Sequence, residues 1–146
     1  MKNIIVEQGA WVQLAQKAQN AYQKAYAPYS DFHVGAAALT VDGDIVQGCN
    51  VENASYGLTV CAERNCIANG VINNSTGNTV EFHAMAIYTE QEKLTPPCGA
   101  CRQVISEFFP KNTQIMAVNH LNEQQIWSVE QLLPDAFTPY DLINKN

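Results

Sequence analysis

Two short runs that contain cysteine constrain the fold of this chain more than any other feature. The first run, at residues 61–64, reads Cys-Ala-Glu-Arg, and the second, at residues 97–102, reads Pro-Cys-Gly-Ala-Cys-Arg. The spacing of Cys98 and Cys101 places both sulfur atoms on one face of a helix. If Cys61 joins them, the chain has to bring the starts of two helices together around three thiols and the carboxyl group of Glu63.

This set of side chains is typical of a catalytic zinc site. Structural zinc sites normally have four protein ligands, whereas catalytic sites have three and leave one position for water. We therefore predict Cys61, Cys98 and Cys101 as metal ligands and Glu63 as a group that contacts the water without binding the metal. Side chains two positions apart on a regular helix point roughly 200° away from each other, so Cys61 and Glu63 could not face one point if both were helical. We expect Cys61 at the helix entry, with backbone that is not yet helical, and Glu63 in the first turn.

The charge of such a site needs compensation. Three thiolates and Zn²⁺ sum to about −1, and a buried negative centre is stabilised by helix N-terminal amides and by a nearby cation. Arg64 follows Glu63 directly and is the predicted compensating cation, since a guanidinium bonded to the thiolates draws charge from them. Arg102 is an alternative for the same role.

Composition and charge limit the possible partners. The chain has 146 residues and a mass of 16.1 kDa, which predicts a single domain over residues 1–146. The formal net charge of −6 argues against a nucleic acid polymer, because such binding depends on Lys and Arg neutralising phosphates. No stretch approaches the roughly 18 apolar residues of a membrane span, and the N-terminus lacks the apolar core of a signal peptide. We expect a cytoplasmic protein with no membrane partner.

The cysteine count agrees with a metal site. Five cysteines in a chain without a secretory signal indicate metal ligands or reactive thiols before disulfides. If three of them bind zinc, Cys49 and Cys66 remain, and each lies among apolar residues, where we expect a buried free thiol. His33, beside Phe32 on a predicted strand, is expected to pack or to lie at a pocket rim, and not to bind metal. His83 and His120 have no evident ligand partner and are expected to be structural.

Periodicity in the sequence predicts an α/β fold. Apolar residues at helical spacing predict a first helix over residues 11–25, and Pro28 closes it. Strands follow at residues 33–40 and 44–50, and Asp42-Gly43 between them is a hairpin signal. Small residues at 35–38 let a helix pack closely on the first of these strands. The polar run at residues 50–53 follows the second strand, so it is a candidate wall of a pocket.

The second half of the chain predicts helices alternating with strands. We expect a buried helix over residues 61–71, ended by Gly70 and a polar loop, and a second one that begins at Cys98 and ends before Pro110. Strands are expected at residues 82–89, 114–119 and 126–127, and Ser128 is expected to cap a brief helix. This order implies a three-layer αβα sandwich with a mixed sheet of about five strands.

Taken in order, the motifs resemble the cytidine deaminases, specifically the small homotetrameric ones that act on free nucleosides. The resemblance covers nearly the whole chain and includes residues 27–30, 32–37, 48–54, both cysteine runs, and 132–137. It implies a cytidine deaminase-like fold and one zinc ion per subunit. It also implies hydrolytic deamination of cytidine and 2′-deoxycytidine to uridine and 2′-deoxyuridine plus ammonia, in pyrimidine salvage.

The resemblance assigns roles to single residues. Glu63 moves protons between the attacking water, N3 of cytosine and the leaving amine. Asn50 and Glu52 match positions that hydrogen-bond the ribose, and a carboxylate there repels a 5′-phosphate, which favours a free nucleoside. Tyr56 and Phe137 match positions through which neighbouring subunits of a homotetramer share their active sites. The full set of expected substrate-binding residues is Phe32, Asn50, Glu52, Ala54, Tyr56, Ala62, Pro96 and Phe137.

Within this set, the base edge is expected to be bonded by the backbone N–H of Ala62 and by the carbonyl of Pro96. Relatives mostly carry Ser or Thr at the position of Pro96, so a carbonyl role survives here and a side-chain role does not. Gly57 and His33 each replace a frequent proline.

Three other interpretations remain open from the residues. The substrate could be another aminopyrimidine nucleoside. The cysteines could form a structural zinc module for protein contacts, which requires a fourth protein ligand. Cys98 and Cys101 could act as a redox pair, which requires no metal.

Overall fold

A computed structural model of the chain describes residues 5–143. The sequence forms five β-strands and five α-helices in this range, together with one 3₁₀ turn at Tyr56–Leu58. In chain order the elements are α1 (Gln8–Tyr22), β1 (Gly35–Thr40), β2 (Ile45–Cys49), α2 (Ala62–Ile72), β3 (Phe82–Thr89), α3 (Gly99–Phe108), β4 (Gln114–Asn119), β5 (Gln124–Ser128), α4 (Val129–Leu132) and α5 (Pro139–Ile143).

The five strands form one mixed sheet with the order β2-β1-β3-β4-β5. Strands β3 and β4 are parallel, and every other neighbouring pair is antiparallel. The parallel pair is joined through α3, as a crossover connection requires. The mixed five-stranded sheet predicted from the sequence is therefore confirmed.

Helices cover both faces of the sheet, because successive side chains of a strand point to opposite sides. On one face, Leu14 and Ala18 of α1 pack with Ala37 of β1 in one apolar cluster. On the other face, Ile67 of α2 and Ile105 of α3 belong to a second cluster. The resulting three layers match the predicted αβα sandwich. None of the helices within residues 5–143 has the length and apolar content needed to cross a bilayer.

Close approach between helix and sheet depends on two glycines. A Cβ atom on Gly35 would lie 1.9 Å from the carbonyl oxygen of Ala18, so α1 packs directly against the backbone of β1. A Cβ atom on Gly48 would lie 2.3 Å from the backbone nitrogen of Cys66, so α2 packs in the same way against β2. The small residues of β1 thus serve the close packing that the sequence predicts.

Some element boundaries differ from the sequence prediction. Helix α1 ends at Tyr22, before Ala25, because the chain turns there and the N–H of Tyr26 donates to the carbonyl of Asn50 at 3.0 Å. Gly70 lies inside α2 and makes room for the ring of Phe82; it does not end the helix. Strand β5 is longer than predicted, at Gln124–Ser128.

The short helix α5 was not predicted. Thr138 precedes it, and both the backbone N–H and the hydroxyl of Thr138 donate to the Asp141 carboxylate, at 2.7 and 3.1 Å. Pro139 is its first residue, a position that favours proline. These features are a helix-start signal that the sequence carries.

Candidate active site

Helix α2 begins at Ala62, and the residue before it, Cys61, has extended backbone with φ −70° and ψ 158°. Glu63 lies in the first helical turn. Both features agree with the predicted placement of Cys61 at the helix entry. Val51 and Val60 exchange two backbone hydrogen bonds just before Cys61, at 2.9 and 3.0 Å. This pairing fastens the start of α2 beside the end of β2.

Helix α3 begins in the same way after Cys98, whose backbone is extended with φ −66° and ψ 165°. The Cys98 sulfur accepts a hydrogen bond from the backbone N–H of Cys101 at 3.5 Å, which caps the helix. The two helix starts therefore present their free N–H groups toward the same cluster of sulfur atoms, where they stabilise negative charge.

The three predicted ligand cysteines converge at this point. Their sulfur atoms all lie within 4.8 Å of one another, and those of Cys61 and Cys98 are 3.8 Å apart. A tetrahedral zinc ion with Zn–S bonds of about 2.3 Å requires sulfur separations of about 3.8 Å, so the cluster fits zinc. Among residues 5–143, no fourth His, Cys, Asp or Glu joins this group. The structural zinc module therefore lacks the fourth ligand that it requires.

Arg64 supplies positive charge to the sulfur cluster. Its Nη2 donates to the Cys61 sulfur at 3.3 Å. The hydrogen bond from Cys101, helped by the Arg64 guanidinium, holds the pKa of Cys61 well below its usual value. The Nε–H of Arg64 is buried and has no hydrogen-bond partner among the described residues.

The Glu63 carboxyl group is buried next to the sulfur cluster, with only 5% of the residue exposed. The Cys101 thiol donates to its Oε2 at 3.5 Å. Burial raises the pKa of this carboxyl group above its usual value. A raised pKa makes the neutral, proton-donating form of a carboxyl group easier to populate than it is at an exposed position, and a group that both accepts and delivers protons needs that form.

Arg102 does not contact the thiolates. Its Nε donates to the carbonyl of Pro97 at 2.8 Å, and its Nη1 donates to the carbonyl of Leu132 at 3.0 Å. The alternative in which Arg102 shares the charge-compensating role is therefore not supported. Its guanidinium instead binds two backbone carbonyls, because its fork of donors spans groups from separate segments.

Asn50 and Glu52 follow β2, as predicted, and both fasten the loop at residues 27–34. Asn50 is buried, accepts from the N–H of Val34 at 2.8 Å and donates to the carbonyl of Phe32 at 2.7 Å. Glu52 accepts from the N–H of Tyr29 at 3.0 Å and from the N–H and hydroxyl of Ser30. Each side chain keeps hydrogen-bonding capacity for a further partner.

The other predicted pocket residues lie around the cysteine cluster or at exposed positions. Ala62 is the first residue of α2, so its N–H has no partner within the helix. Phe32 is 38% exposed, Tyr56 73% and Phe137 57%. Ala54 and Pro96 are also exposed. Their exposure leaves these side chains available for contact with a ligand or with another chain.

The remaining cysteines and histidines lie outside the sulfur cluster. Cys66 is buried, as predicted, and burial raises the pKa of its thiol. Cys49 is only partly buried, contrary to prediction, because its side chain faces the end of α1, where it donates to the Lys24 carbonyl at 3.6 Å. His33 packs on the ring of Tyr22, which agrees with a structural position.

Sequence reasoning missed two asparagines that position α2. Asn65 donates to the carbonyl of Cys49 at 2.9 Å, and Asn69 donates to the carbonyl of Gln47 at 2.7 Å. Their spacing of four residues on one helix face is a signal in the sequence. Nothing in the sequence indicates that their partners are the carbonyls of β2.

Comparisons with known proteins agree with this chemistry. The sequence model described as "Cytidine and deoxycytidylate deaminase zinc-binding region" matches residues 11–117. A protein of Halalkalibacterium halodurans named cytidine deaminase is 43% identical over 129 residues, which are 88% of this chain and 95% of that protein. The crystal structure of cytidine deaminase from Burkholderia pseudomallei is similar with a TM-score of 0.80 and 42% identity, covering 90% of this chain and 100% of that one.

A crystal structure of cytidine deaminase from Mycobacterium tuberculosis has a TM-score of 0.73 and 42% identity, covering 87% of this chain and 96% of that one. The relatives therefore match in length, in sequence and in fold. Their shared family carries a zinc-binding region, and the sulfur cluster described above lies within the matched residues 11–117. The chain belongs to the cytidine and deoxycytidylate deaminase family.

Proposed function

We propose that this chain catalyses the zinc-dependent hydrolytic deamination of cytidine and 2′-deoxycytidine to uridine and 2′-deoxyuridine plus ammonia. One observation carries the proposal. Three cysteine sulfurs within 4.8 Å of one another and the buried Glu63 carboxyl group meet where two helices begin, in a chain of the deaminase family. Cys61, Cys98 and Cys101 hold one Zn²⁺ per subunit in this proposal.

The division of labour follows from the positions of the side chains. Bound zinc acts as a Lewis acid that makes water nucleophilic near neutral pH. Glu63 accepts a proton from the water whose oxygen adds to C4 of the base, and it delivers that proton to N3. It then takes the proton of the new C4 hydroxyl and passes it to the exocyclic amine, so that the C4–N4 bond breaks, the C4 carbonyl forms and ammonia leaves. Arg64 offsets the thiolate charge through its hydrogen bond to Cys61.

Substrate recognition is proposed to involve the edge of the base, the face of its ring and the ribose. The N–H of Ala62 and the carbonyl of Pro96 bond the base edge, and Phe32 packs against the ring. Asn50 and Glu52 bind the ribose with the hydrogen-bonding capacity that the loop leaves free. The carboxylate of Glu52 repels a 5′-phosphate, so the substrate is a free nucleoside. In this proposal Ala54 belongs to the same wall of the pocket.

We also propose a homotetramer with shared active sites. The exposure of the Tyr56 and Phe137 rings supports it, because 73% and 57% of these residues remain open to contact with a neighbouring subunit. Residues 1–146 form a single domain in this proposal. The enzyme acts in the cytoplasm, in pyrimidine salvage, and needs neither a nucleic acid polymer nor a membrane.

The test follows the ultraviolet absorbance of cytidine with purified protein before and after a chelator removes the metal. We expect deamination by the untreated protein, loss of at least 90% of the rate after stripping, roughly as for other zinc hydrolases, and recovery with added Zn²⁺. Release of one equivalent of zinc per chain is measured on the same samples. An active metal-free protein, or a metal-loaded protein that leaves cytidine unchanged, would contradict the proposal.

A panel of other aminopyrimidine nucleosides run under the same conditions decides the substrate. Turnover of one of these in preference to cytidine would replace cytidine in the proposal while keeping the zinc chemistry. Cytidine 5′-monophosphate is the matched control for the role of Glu52, and it should be turned over much more slowly than cytidine.

A further inference from the structure

Two adjacent side chains at the start of α3 reach backbone groups in distant parts of the chain. Arg102 donates to the carbonyls of Pro97 and Leu132, at 2.8 and 3.0 Å. Gln103 donates through its Nε2 to the carbonyl of Phe137 at 2.8 Å. Both residues follow Cys101 directly, so one helical turn carries a metal-binding sulfur and these three hydrogen bonds.

The hydrogen bond from Arg102 to the Pro97 carbonyl orients a loop whose backbone can form few hydrogen bonds of its own. Pro96 and Pro97 have no backbone N–H, so their carbonyls are the only hydrogen-bonding groups of their backbone. Arg102 occupies the carbonyl of Pro97. The carbonyl of Pro96 accepts no hydrogen bond from residues 5–143 and stays free for a ligand. Because the ring of Pro97 fixes the φ angle between the two peptide planes, holding the Pro97 carbonyl restricts the direction of the Pro96 carbonyl.

The other two contacts fasten the segment that carries Phe137. This segment runs from the end of α4 to the start of α5 without regular structure. Arg102 holds its first carbonyl, at Leu132, and Gln103 holds the carbonyl of Phe137 itself. The ring of Phe137 is 57% exposed, so packing within the chain does little to fix it.

We propose that Arg102 and Gln103 are positioning residues. Arg102 holds the Pro96 carbonyl in a fixed relation to the ligand cysteines of its own chain, and Gln103 holds the Phe137 ring where, in the proposed homotetramer, it meets the active site of a neighbouring subunit. The inference rests on the proposed function, because Pro96 and Phe137 meet a substrate only if the chain binds a nucleoside. Neither side chain contacts the sulfur cluster. Their loss therefore weakens nucleoside binding and leaves proton transfer at Glu63 and metal binding in place.

Gln103→Glu tests the proposal, since it keeps the size of the side chain and replaces the donor by an acceptor. We expect a rise in KM for cytidine of roughly 3- to 10-fold, the size of one hydrogen bond, with kcat changed by less than about 2-fold and bound zinc unchanged. The matched control is Gln13→Glu, the same chemical change at an exposed position of α1 with no side-chain hydrogen bond among those described. The control should leave KM unchanged.

A double-mutant cycle with Phe137→Ala separates positioning from a general loss of stability. If Gln103 acts through Phe137, then Gln103→Glu has no further effect on KM once the ring is gone. Arg102→Lys keeps the charge and cannot reach both carbonyls at once, so it should raise KM even in the Phe137→Ala background, through Pro96.

The outcomes are distinguishable from those for the proposed function. A wild-type protein that does not deaminate a nucleoside refutes the proposed function. An active wild-type protein whose KM is unchanged by Gln103→Glu overturns this inference alone, as does an effect of Gln103→Glu that persists in full without Phe137. Loss of zinc from either variant would also overturn it, because the metal site would then depend on these contacts.

Discussion

The contact between β2 and α2 at Gly48 leads to the sharpest prediction. A Cβ atom at this position would lie 2.3 Å from the nitrogen of Cys66 and 2.6 Å from the carbonyl oxygen of Ala62. Both are backbone atoms of α2, so no side chain can turn away to relieve the clash. Ordinary van der Waals contact begins at about 3.4 Å, so Gly48→Ala has to move α2 away from the sheet by about 1 Å.

That displacement acts on the reaction because α2 begins with Ala62 and Glu63. A shift of about 1 Å in catalytic groups can cost roughly 100-fold in rate, so we expect kcat/KM for cytidine to fall by about 10- to 100-fold. Overpacking of a core costs about 1–3 kcal/mol of unfolding free energy, which corresponds to a fall in Tm of roughly 3–12 °C. Both quantities are measured on zinc-loaded protein, with activity assayed well below the lower Tm.

Gly9→Ala is the control, because a Cβ atom at Gly9 has nothing within 4 Å and lies in α1, away from the site. This change should leave kcat/KM unaffected and raise the stability slightly, since alanine favours helix. The reasoning is refuted if Gly48→Ala keeps full kcat/KM, or if it loses stability with no loss of activity at a temperature where it is folded.

Three further predictions follow from the site. Glu63→Gln should lower kcat by about 10²- to 10⁴-fold or more, as expected for a lost acid/base group, while metal analysis still finds one zinc per chain; a nearly silent change contradicts the proton-transfer role. Arg64→Gln should weaken zinc retention in a chelator competition, because the thiolates lose their compensating cation, whereas equal retention would argue against that role. In native protein at pH 8.5, Cys66 should resist iodoacetamide because burial raises its pKa and keeps the thiol neutral where a free thiol is partly ionised; mass spectrometry should find it labelled only after denaturation, and labelling in the native state would contradict this.

Local signals allowed much of the fold to be predicted. The Ser128 side chain caps α4, and the Ser128 N–H donates to Oε1 of Gln131 at 2.8 Å, as a capping box requires. Strand β3 was predicted with its observed bounds, because a continuous apolar run of that length is typical of a buried strand. Such features depend only on residues close in sequence.

Contacts between distant segments could not be predicted in the same way. The end of α1 depends on the pairing of Tyr26 with Asn50, and the role of Arg102 depends on the carbonyl of Leu132, thirty residues away. A backbone carbonyl is present at every residue, so the sequence gives no sign of which one a side chain will choose. The sulfur cluster was predictable because only a few residue types can bind zinc.

The hydrogen bonds from Asn65 and Asn69 to β2 also affect how the protein behaves at high concentration. Strand β2 is one of the two outer strands of the sheet, and the carbonyls of Cys49 and Gln47 face away from β1. Unpaired backbone groups on an outer strand can template the addition of a strand from another molecule, which is a route to aggregation. Both carbonyls already accept hydrogen bonds from side-chain amides of α2, so this edge of the sheet offers a strand from another molecule two fewer acceptors. The helix that bears Glu63 therefore also protects the protein against aggregation through this edge.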